Sequence, residues 1–173
     1  LEDQMSVTLE LLSGEEANFK STVFENNALF VTNRTYTIAN IPAAFKGYTF
    51  MANAGAKVDE GIVIPSADGY IYIIAETGTI EHWTIIENSG FTYNNTGSLS
   101  IYKKAVKAGE RVELPLLTNF EGATLIAKNI TTKVVDANKD ARLQSISVDG
   151  VKIESFNKEI YNYDFYLPYT YTK

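Results

Sequence analysis

Cysteine is missing from this 173-residue chain, and histidine occurs once, at His82. Disulfide bonds and thiolate metal sites are therefore excluded. A catalytic zinc ion is normally held by two or three histidine, cysteine or carboxylate ligands, so a single histidine does not predict a zinc centre. A Ser-His-Asp triad would have to use His82, but no glycine-framed serine accompanies it.

Long apolar runs and basic runs are also missing. No stretch approaches the roughly 20 apolar residues that a membrane-spanning helix needs. The formal net charge is −6, whereas phosphate backbones and anionic lipids attract clustered positive charge. The sequence therefore predicts neither a nucleic acid nor a membrane as partner. No signal peptide is visible, and because the chain begins at Leu1 we expect a targeting segment elsewhere in a longer protein.

Aromatic residues are plentiful but unusual in kind, since eleven Tyr and nine Phe accompany a single Trp. Tyr and Phe rings pack well on a pleated surface and favour strands. With 45% hydrophobic residues, the chain can bury a stable core, which excludes general disorder.

Alternating polar and apolar residues predict strands along most of the chain, with very little helix. Gly69–Glu76 is apolar or aromatic on both faces, which predicts a central strand covered on both sides. The preceding turn at 66–69 carries the Asp-Gly signal of a hairpin. Residues 40–47 predict one helical turn, and 88–97 predict a turn-rich loop.

A polar stretch divides the chain into two parts. Residues 1–135 are predicted to form an antiparallel β-sandwich of jelly-roll-like type, because short strands alternate with frequent turns. Residues 136–142 read as a linker, and 143–173 bring a new set of strands. Pro115 cannot donate to a ladder, so the strand around it is predicted to end there or to lie at an edge.

Several segments between residues 29 and 128 occur in a recognisable order. They are Asn33-Arg34-Thr35-Tyr36, then 42–47, then 71–75, then Trp83, then YKKAVKAGERVEL at 102–114. This order resembles accessory β-sandwich modules appended to extracellular bacterial polysaccharide lyases and glycoside hydrolases. The resemblance implies a hairpin at 102–114, a secreted protein and an attached catalytic domain in the same parent protein.

The end of the chain, LQSISVDGVKIESFNKEIYNYDFYLP at 143–168, has a second pattern. It resembles the opening of a cadherin-like, immunoglobulin-type sandwich repeat. The resemblance implies a partial sandwich, whose strands need further partners because a truncated sheet leaves open edges.

Sugar binding combines an aromatic face, which stacks on a pyranose ring, with polar groups that bond its hydroxyls. Trp83 has Glu81 and His82 beside it and precedes a loop with Phe91 and Tyr93, so these five residues form the best local candidate site. The alternative interpretation is that Trp83 fills the core between two sheets.

Three further residues are candidates for contacting a ligand. Arg34 and Tyr36 belong to the motif of the resemblance, and the Arg34 guanidinium suits a sugar carboxylate. It equally suits a structural contact that braces a loop against an acidic partner. Lys103 and Lys104 are adjacent in a predicted strand, so only one of them can face a ligand; Lys103 is the candidate, although lysine on a strand is more often solvated.

Paired carboxylates are the main alternative that would make the chain an enzyme. Asp59-Glu60 and Glu15-Glu16 are adjacent, but neighbours on a strand point to opposite faces and do not flank one glycosidic bond. A structural calcium ion held by oxygen ligands remains open, with candidates at Asp68, Asp59 and Glu25.

The sequence therefore predicts an all-β, non-catalytic module that needs no cofactor. Its expected role is to bind a polysaccharide, with an anionic polysaccharide as a candidate, and so to keep an attached enzyme near its substrate. The alternative is a structural domain that braces a multidomain extracellular enzyme and binds no ligand. Exposed rings at Trp83, Phe91 and Tyr93 favour the first role, and buried rings favour the second.

Overall fold

The computed structural model describes residues 5–54, 61–94, 97–117 and 122–135, and the backbone of 147–148 and 151–152. The chain divides into two compact units, Leu1–Asp136 and Ala137–Lys173. The predicted linker at 136–142 and most of the predicted cadherin-like segment lie outside the described residues.

The larger unit is built from strands, with two three-residue 3₁₀ turns at Glu16–Asn18 and Ala43–Phe45. Its described residues form these strands, in chain order: β1 Ser6–Leu12, β2 Phe19–Val23, β3 Ile38–Ala39, β4 Thr49–Asn53, β5 Gly61–Pro65, β6 Gly69–Glu76, β7 Thr84–Ile85, β8 Phe91–Tyr93, β9 Gly97–Val106, β10 Val112–Glu113, β11 Thr124–Ala127 and β12 Asn129–Val135.

These strands form a small sheet and a large sheet, which confirms the prediction of an all-β sandwich. The small sheet has the order β10-β5-β1-β12, and the large sheet has the order β2-β4-β11-β6-β9-β8-β3, with β7 also paired to β9. Pairing in the large sheet is antiparallel throughout the described residues. The small sheet departs from the predicted antiparallel arrangement, because β1 runs parallel to β12.

The large sheet is covered on both faces, as the pattern of β6 predicts. Ile71, Ile73 and Ala75 point to the inner face, where they join buried residues of the small sheet. Ile74 points to the outer face, where the segment 24–48 contributes buried phenylalanines. A central strand apolar on both sides is the expected result of covering a sheet twice.

The predicted hairpin at 66–69 is wrong, and so is the hairpin that the resemblance implies at 102–114. β5 and β10 pair with each other in the small sheet, whereas β6 and β9 pair with each other in the large one. Both connections are therefore crossovers between sheets. The two-sided apolar pattern explains this. β6 needs a neighbouring strand on each side and cover on both faces, and a hairpin partner at the edge of the sandwich would not provide them.

The two crossovers are bonded to each other through Asp68. Its carboxylate accepts a hydrogen bond from the Ala108 N–H at 2.9 Å and pairs with the Lys107 ammonium at 2.9 Å. The Gly109 N–H donates to the Pro65 carbonyl at 2.8 Å. Asp68 thus stabilises two adjacent crossovers in place of a hairpin.

Other local predictions have mixed outcomes. The helical turn within 40–47 is confirmed by the 3₁₀ turn, and β10 ends before Pro115 at the edge of the small sheet. The predicted loop at 88–97 instead contains β8, because Phe91 packs into the outer core. The short apolar segment 28–31 forms no strand and makes only isolated bridges from Leu29 and Val31.

In the smaller unit, Ser147–Val148 (β13) and Val151–Lys152 (β14) pair antiparallel, with Val148 opposite Val151. This pairing agrees with the prediction of strands within 143–173. Within the described ranges of the whole chain, no helix is long and apolar enough to cross a membrane.

Candidate functional site

The residues predicted around the single tryptophan line a groove at the open edge of the sandwich. This Trp83 groove measures about 440 Å³. Lys104 of β9 and the turn with Glu81, His82 and Trp83 form one wall, and the segment around β10 forms the other, from Glu110 to Leu116. Its volume falls within the range of ligand-binding clefts.

Trp83 itself is a core residue of this edge. It is only 9% exposed and belongs to the inner core cluster together with Val112 and Leu114. The Lys104 ammonium lies 5.8 Å from the centre of its ring, within the range of a cation–π contact. The ring therefore closes the space between the two sheets and offers no open face on which a sugar could stack.

His82 and Glu81 occupy the turn that leads into Trp83. The Trp83 N–H donates to the Ile80 carbonyl at 3.2 Å, and His82 has a φ of +66°. Histidine is one of the residue types that tolerate this left-handed conformation. Both side chains are exposed, with the imidazole 3.3 Å from the Glu81 carboxylate. The two residues thus form a polar rim above a buried ring.

A buried carboxylate supports the opposite wall of the groove. Glu10 of β1 is 5% exposed, and its carboxylate lies 2.6 Å from the Arg111 guanidinium and 3.6 Å from the Lys133 ammonium. The hydrogen bond from Arg111 is the main reason that the pKa of Glu10 lies below its ordinary value, while burial acts in the opposite direction.

The other predicted aromatics lie on the outer face of the large sheet, away from Trp83. Phe91 is 3% exposed and packs against Phe24 with ring centres 5.2 Å apart. Tyr93 and Tyr36 are half-buried neighbours, with ring centres 6.3 Å apart. The predicted cluster of Trp83, Phe91 and Tyr93 is therefore not formed, since the first residue lies in the inner core and the others belong to the outer one.

Arg34 and Lys103 lie in separate places. The exposed Arg34 guanidinium donates to the Asn33 carbonyl at 2.9 Å, which is a contact within its own turn. Lys103 and Lys104 point to opposite faces of the sheet, as predicted, because Lys103 lies opposite the outward-facing Tyr72 and Lys104 opposite the inward-facing Ile71.

Lys103 belongs to a surface that the sequence analysis did not single out. We call it the tyrosine–lysine face, and its members are Tyr48, Tyr70, Tyr72, Lys103 and Lys128. Tyr70 is 38% exposed, with the Lys103 ammonium 4.8 Å from its ring centre. The Lys128 ammonium lies 5.7 Å from the ring centre of Tyr48. Two aromatic–cation pairs therefore occur side by side on the outer face.

A buried phenylalanine holds two of these rings in place. Phe45, from the 3₁₀ turn, meets Tyr48 with ring centres 5.1 Å apart and Tyr72 with ring centres 5.3 Å apart, both edge to face. Edge-to-face pairs are favourable because the positive ring edge meets the negative ring face. The rings of Tyr48 and Tyr72 are thus oriented before any ligand arrives.

A cleft of about 120 Å³ opens beside these rings, lined by Tyr48, Tyr70, Tyr72 and Lys128 among others. The cleft arises where β11 stops pairing with β6. The last pair is Ile126 opposite Tyr72, whereas β6 begins three residues earlier. After Ala127 the chain leaves for β12 in the small sheet. The cleft is small, so it suits the edge of one sugar ring rather than an enclosed ligand.

The charges around the cleft favour an anion. Asp68 also lines it, but its carboxylate is bound by Lys107 and the Ala108 N–H, and the hydrogen bond from Lys107 is the main reason that the pKa of Asp68 is lowered. The Lys103 ammonium has no carboxylate partner in the part of the chain that the structure describes. The face is therefore basic, although the chain as a whole is acidic.

Carboxylate pairs and metal ligands give no comparable site. Glu15 accepts from the Asn18 amide at 2.9 Å and Glu16 from the Gly14 N–H at 2.7 Å, which are contacts within one turn. Asp59 and Glu60 lie outside the described residues. Across the described ranges, no three His, Asp or Glu side chains are grouped so that they could hold a metal ion.

No protein-family model and no curated protein matches the chain. Among solved structures, the chain is similar to a beta-glucuronidase from glycoside hydrolase family 2, with a TM-score of 0.53 and 12% identity over 75% of this chain. It spans 15% of that enzyme's chain. A GH138 enzyme targeting pectin rhamnogalacturonan II gives a TM-score of 0.48, with 14% identity over 73% of this chain and 16% of the other. The similarity to the beta-glucuronidase shows a shared fold, of a size that forms only part of that enzyme.

Proposed function

We propose that the larger unit is a non-catalytic accessory domain of a carbohydrate-degrading enzyme, and that it binds polysaccharide. The observation that carries this proposal is the tyrosine–lysine face. Carbohydrate recognition uses aromatic rings against the C–H face of a pyranose and polar groups around it, and Tyr70 with Lys103 supplies both at the surface.

The fold is consistent with such a role. A domain of this architecture forms part of a glycoside hydrolase chain that is several times longer. A module tethered to an enzyme raises the local concentration of substrate without chemistry of its own. The proposed domain would act in this way in a larger protein.

The direct test is affinity electrophoresis of the full chain through gels containing xanthan, pectin, alginate, chitosan and neutral glucans. We expect retardation in at least one gel, and loss of that retardation in Tyr70→Ala. The matched control is Leu116→Ala, because Leu116 is 65% exposed and lines the Trp83 groove.

The pair of variants identifies the binding surface. Loss of retardation in Leu116→Ala with Tyr70→Ala unaffected would assign binding to the Trp83 groove and contradict our choice of face. Free migration of the native chain in every gel would contradict polysaccharide binding altogether.

A structural bracing domain is the second candidate, and one observation favours it. Trp83 and Phe91 are buried on opposite faces of the large sheet, so the aromatic residues expected to contact sugar from sequence instead stabilise the two cores. Free migration in every gel, combined with unfolding of Trp83→Ala, is the result that this candidate predicts.

A further inference from the structure

We infer that the tyrosine–lysine face takes an acidic polysaccharide, whose uronic acid carboxylates are bound by Lys103 and Lys128; this inference rests on the proposed polysaccharide binding. Each lysine accompanies a tyrosine ring, at 4.8 Å for the Tyr70 pair and 5.7 Å for the Tyr48 pair. A uronic acid presents the complementary groups, because its apolar C–H face can contact the tyrosine ring and its adjoining carboxylate can contact the lysine.

The local charge supports an anionic ligand. The Lys103 ammonium has no carboxylate partner among the described residues, and the carboxylate that lines the cleft, Asp68, is already held by Lys107 at 2.9 Å. In a chain with a net charge of −6, a basic patch is a local exception. Such a patch attracts anions and has little effect on neutral polymers. It therefore contributes selectivity for charge.

The positions of the two lysines indicate a polymer rather than a single sugar. Lys103 lies on β9 and Lys128 directly follows β11, and these are the two strands that flank β6. Neighbouring strands are about 4.8 Å apart, so the two lysines emerge about 10 Å apart across the sheet. A chain with repeated carboxylates can meet both, whereas one monosaccharide cannot.

The shape of the surface favours a glycan over an acidic peptide. An extended peptide gains most of its affinity by adding a strand to an open sheet edge. β6 is flanked by β9 and β11, and it extends beyond the register with β11 only by residues 69–71 at one end and 75–76 at the other. The rings of Tyr48, Tyr70 and Tyr72 provide contact area that does not depend on backbone pairing.

The experiment is isothermal titration of the full chain with polygalacturonate and with the same polymer after reduction of its carboxyl groups. The two polymers share a backbone and differ in charge. We expect binding of the acid form that weakens with added salt, and at least about tenfold weaker binding of the reduced form, which corresponds to about 1.4 kcal/mol.

Two variants connect the charge preference to the face. The double variant Lys103→Gln/Lys128→Gln is expected to bind the acid polymer at least about tenfold more weakly, while keeping its weak binding of the reduced polymer. The control is Lys20→Gln, an exposed lysine on β2 at the far edge of the large sheet.

The outcomes separate the inference from the proposed function. Equal affinity for acid and reduced polymers, or an unaffected double variant, overturns the acidic preference and leaves polysaccharide binding intact. Binding of polyglutamate with no binding of any polysaccharide overturns both and indicates an acidic protein partner. No binding of any of these polymers overturns the acidic preference, and free migration in every gel as well overturns the proposed function itself.

Discussion

Lys103 and Lys104 are adjacent in β9, and each lies over an aromatic ring, yet the two pairs have different surroundings. On the outer face, Lys103 accompanies Tyr70, whose side chain is 38% exposed. On the inner face, Lys104 accompanies Trp83, which is 9% exposed and packed between the sheets. The same chemical pair therefore contributes to a surface in one case and to the core in the other.

The comparison shows that exposure and not residue type decides what an aromatic ring can do. Tryptophan has the larger ring and is the residue that sequence reasoning selects for sugar stacking. Its ring is buried where it closes the edge of the sandwich. The neighbouring strand β10 is only two residues long and leaves apolar area that the ring covers. The smaller Tyr70 ring keeps a free surface.

The largest expected difference between the two regions is in stability. Trp83→Ala removes a buried ring and leaves a cavity, so we expect the free energy of unfolding to fall by about 3–5 kcal/mol. Tyr70→Ala removes a partly exposed ring, and we expect a loss of less than about 1 kcal/mol. Urea titration followed by tyrosine and tryptophan fluorescence and by circular dichroism measures both.

Trp83→Phe is the control for this pair, since it keeps an apolar ring in the same space and should lose less than Trp83→Ala. Similar losses for Trp83→Ala and Tyr70→Ala would contradict the assignment of one ring to the core and the other to the surface.

A smaller effect is expected from the carboxylate behind the Trp83 groove. Glu10→Gln removes a buried charge and with it the ion pair to Arg111, whose side chain is 28% exposed. Because water screens part of the pair, we expect a loss of about 1–2 kcal/mol at pH 7 rather than the full cost of breaking a buried pair.

The pH dependence of this loss has a defined sign. The pKa of Glu10 is lowered in the folded protein from an ordinary value of 4.5, mainly by the hydrogen bond from Arg111. The stabilisation is therefore complete above pH 4.5 and is lost as the pH falls through the lower folded pKa. The difference between native chain and variant should shrink below pH 4.5, and a constant difference down to pH 2 would contradict this account.

The smallest effect separates the two lysines. Lys104→Met removes a cation from above the Trp83 ring, and we expect a loss of about 0.5–1 kcal/mol in stability with no change in polysaccharide binding. Lys103→Met should leave stability unchanged and weaken binding of the acid polymer. The two variants are matched in chemistry, so identical behaviour in both assays would show that the faces do not differ in role.

Several elements could be predicted because their information is local. Alternating polar and apolar residues predict strands, and β1 follows this pattern with Val7, Leu9 and Leu11 buried on one side. The two-sided apolar pattern of Gly69–Glu76 correctly predicted a central strand. The opposite orientations of Lys103 and Lys104 followed from the period of two residues along a strand.

The candidate site was less predictable, because its members come from four separate segments. Tyr48, Tyr70, Lys103 and Lys128 meet only through the pairing of β4, β11, β6 and β9. One signal was available in the sequence: Tyr70 and Tyr72 alternate with Ile71 and Ile73, so their rings share a face. Nothing local indicated that Lys128 would lie on that face, since its neighbours 129–135 belong to the other sheet.

The sequence by itself determined that this chain is built from strands, that it uses no cysteine chemistry, and which side chains of each strand share a face. Those properties depend on composition and on the two-residue period. Only the tertiary structure decided that β5–β6 and β9–β10 cross between sheets, that Trp83 is buried and that Tyr70 is exposed. Burial is set by what covers each face, and the covering segments lie far away along the chain.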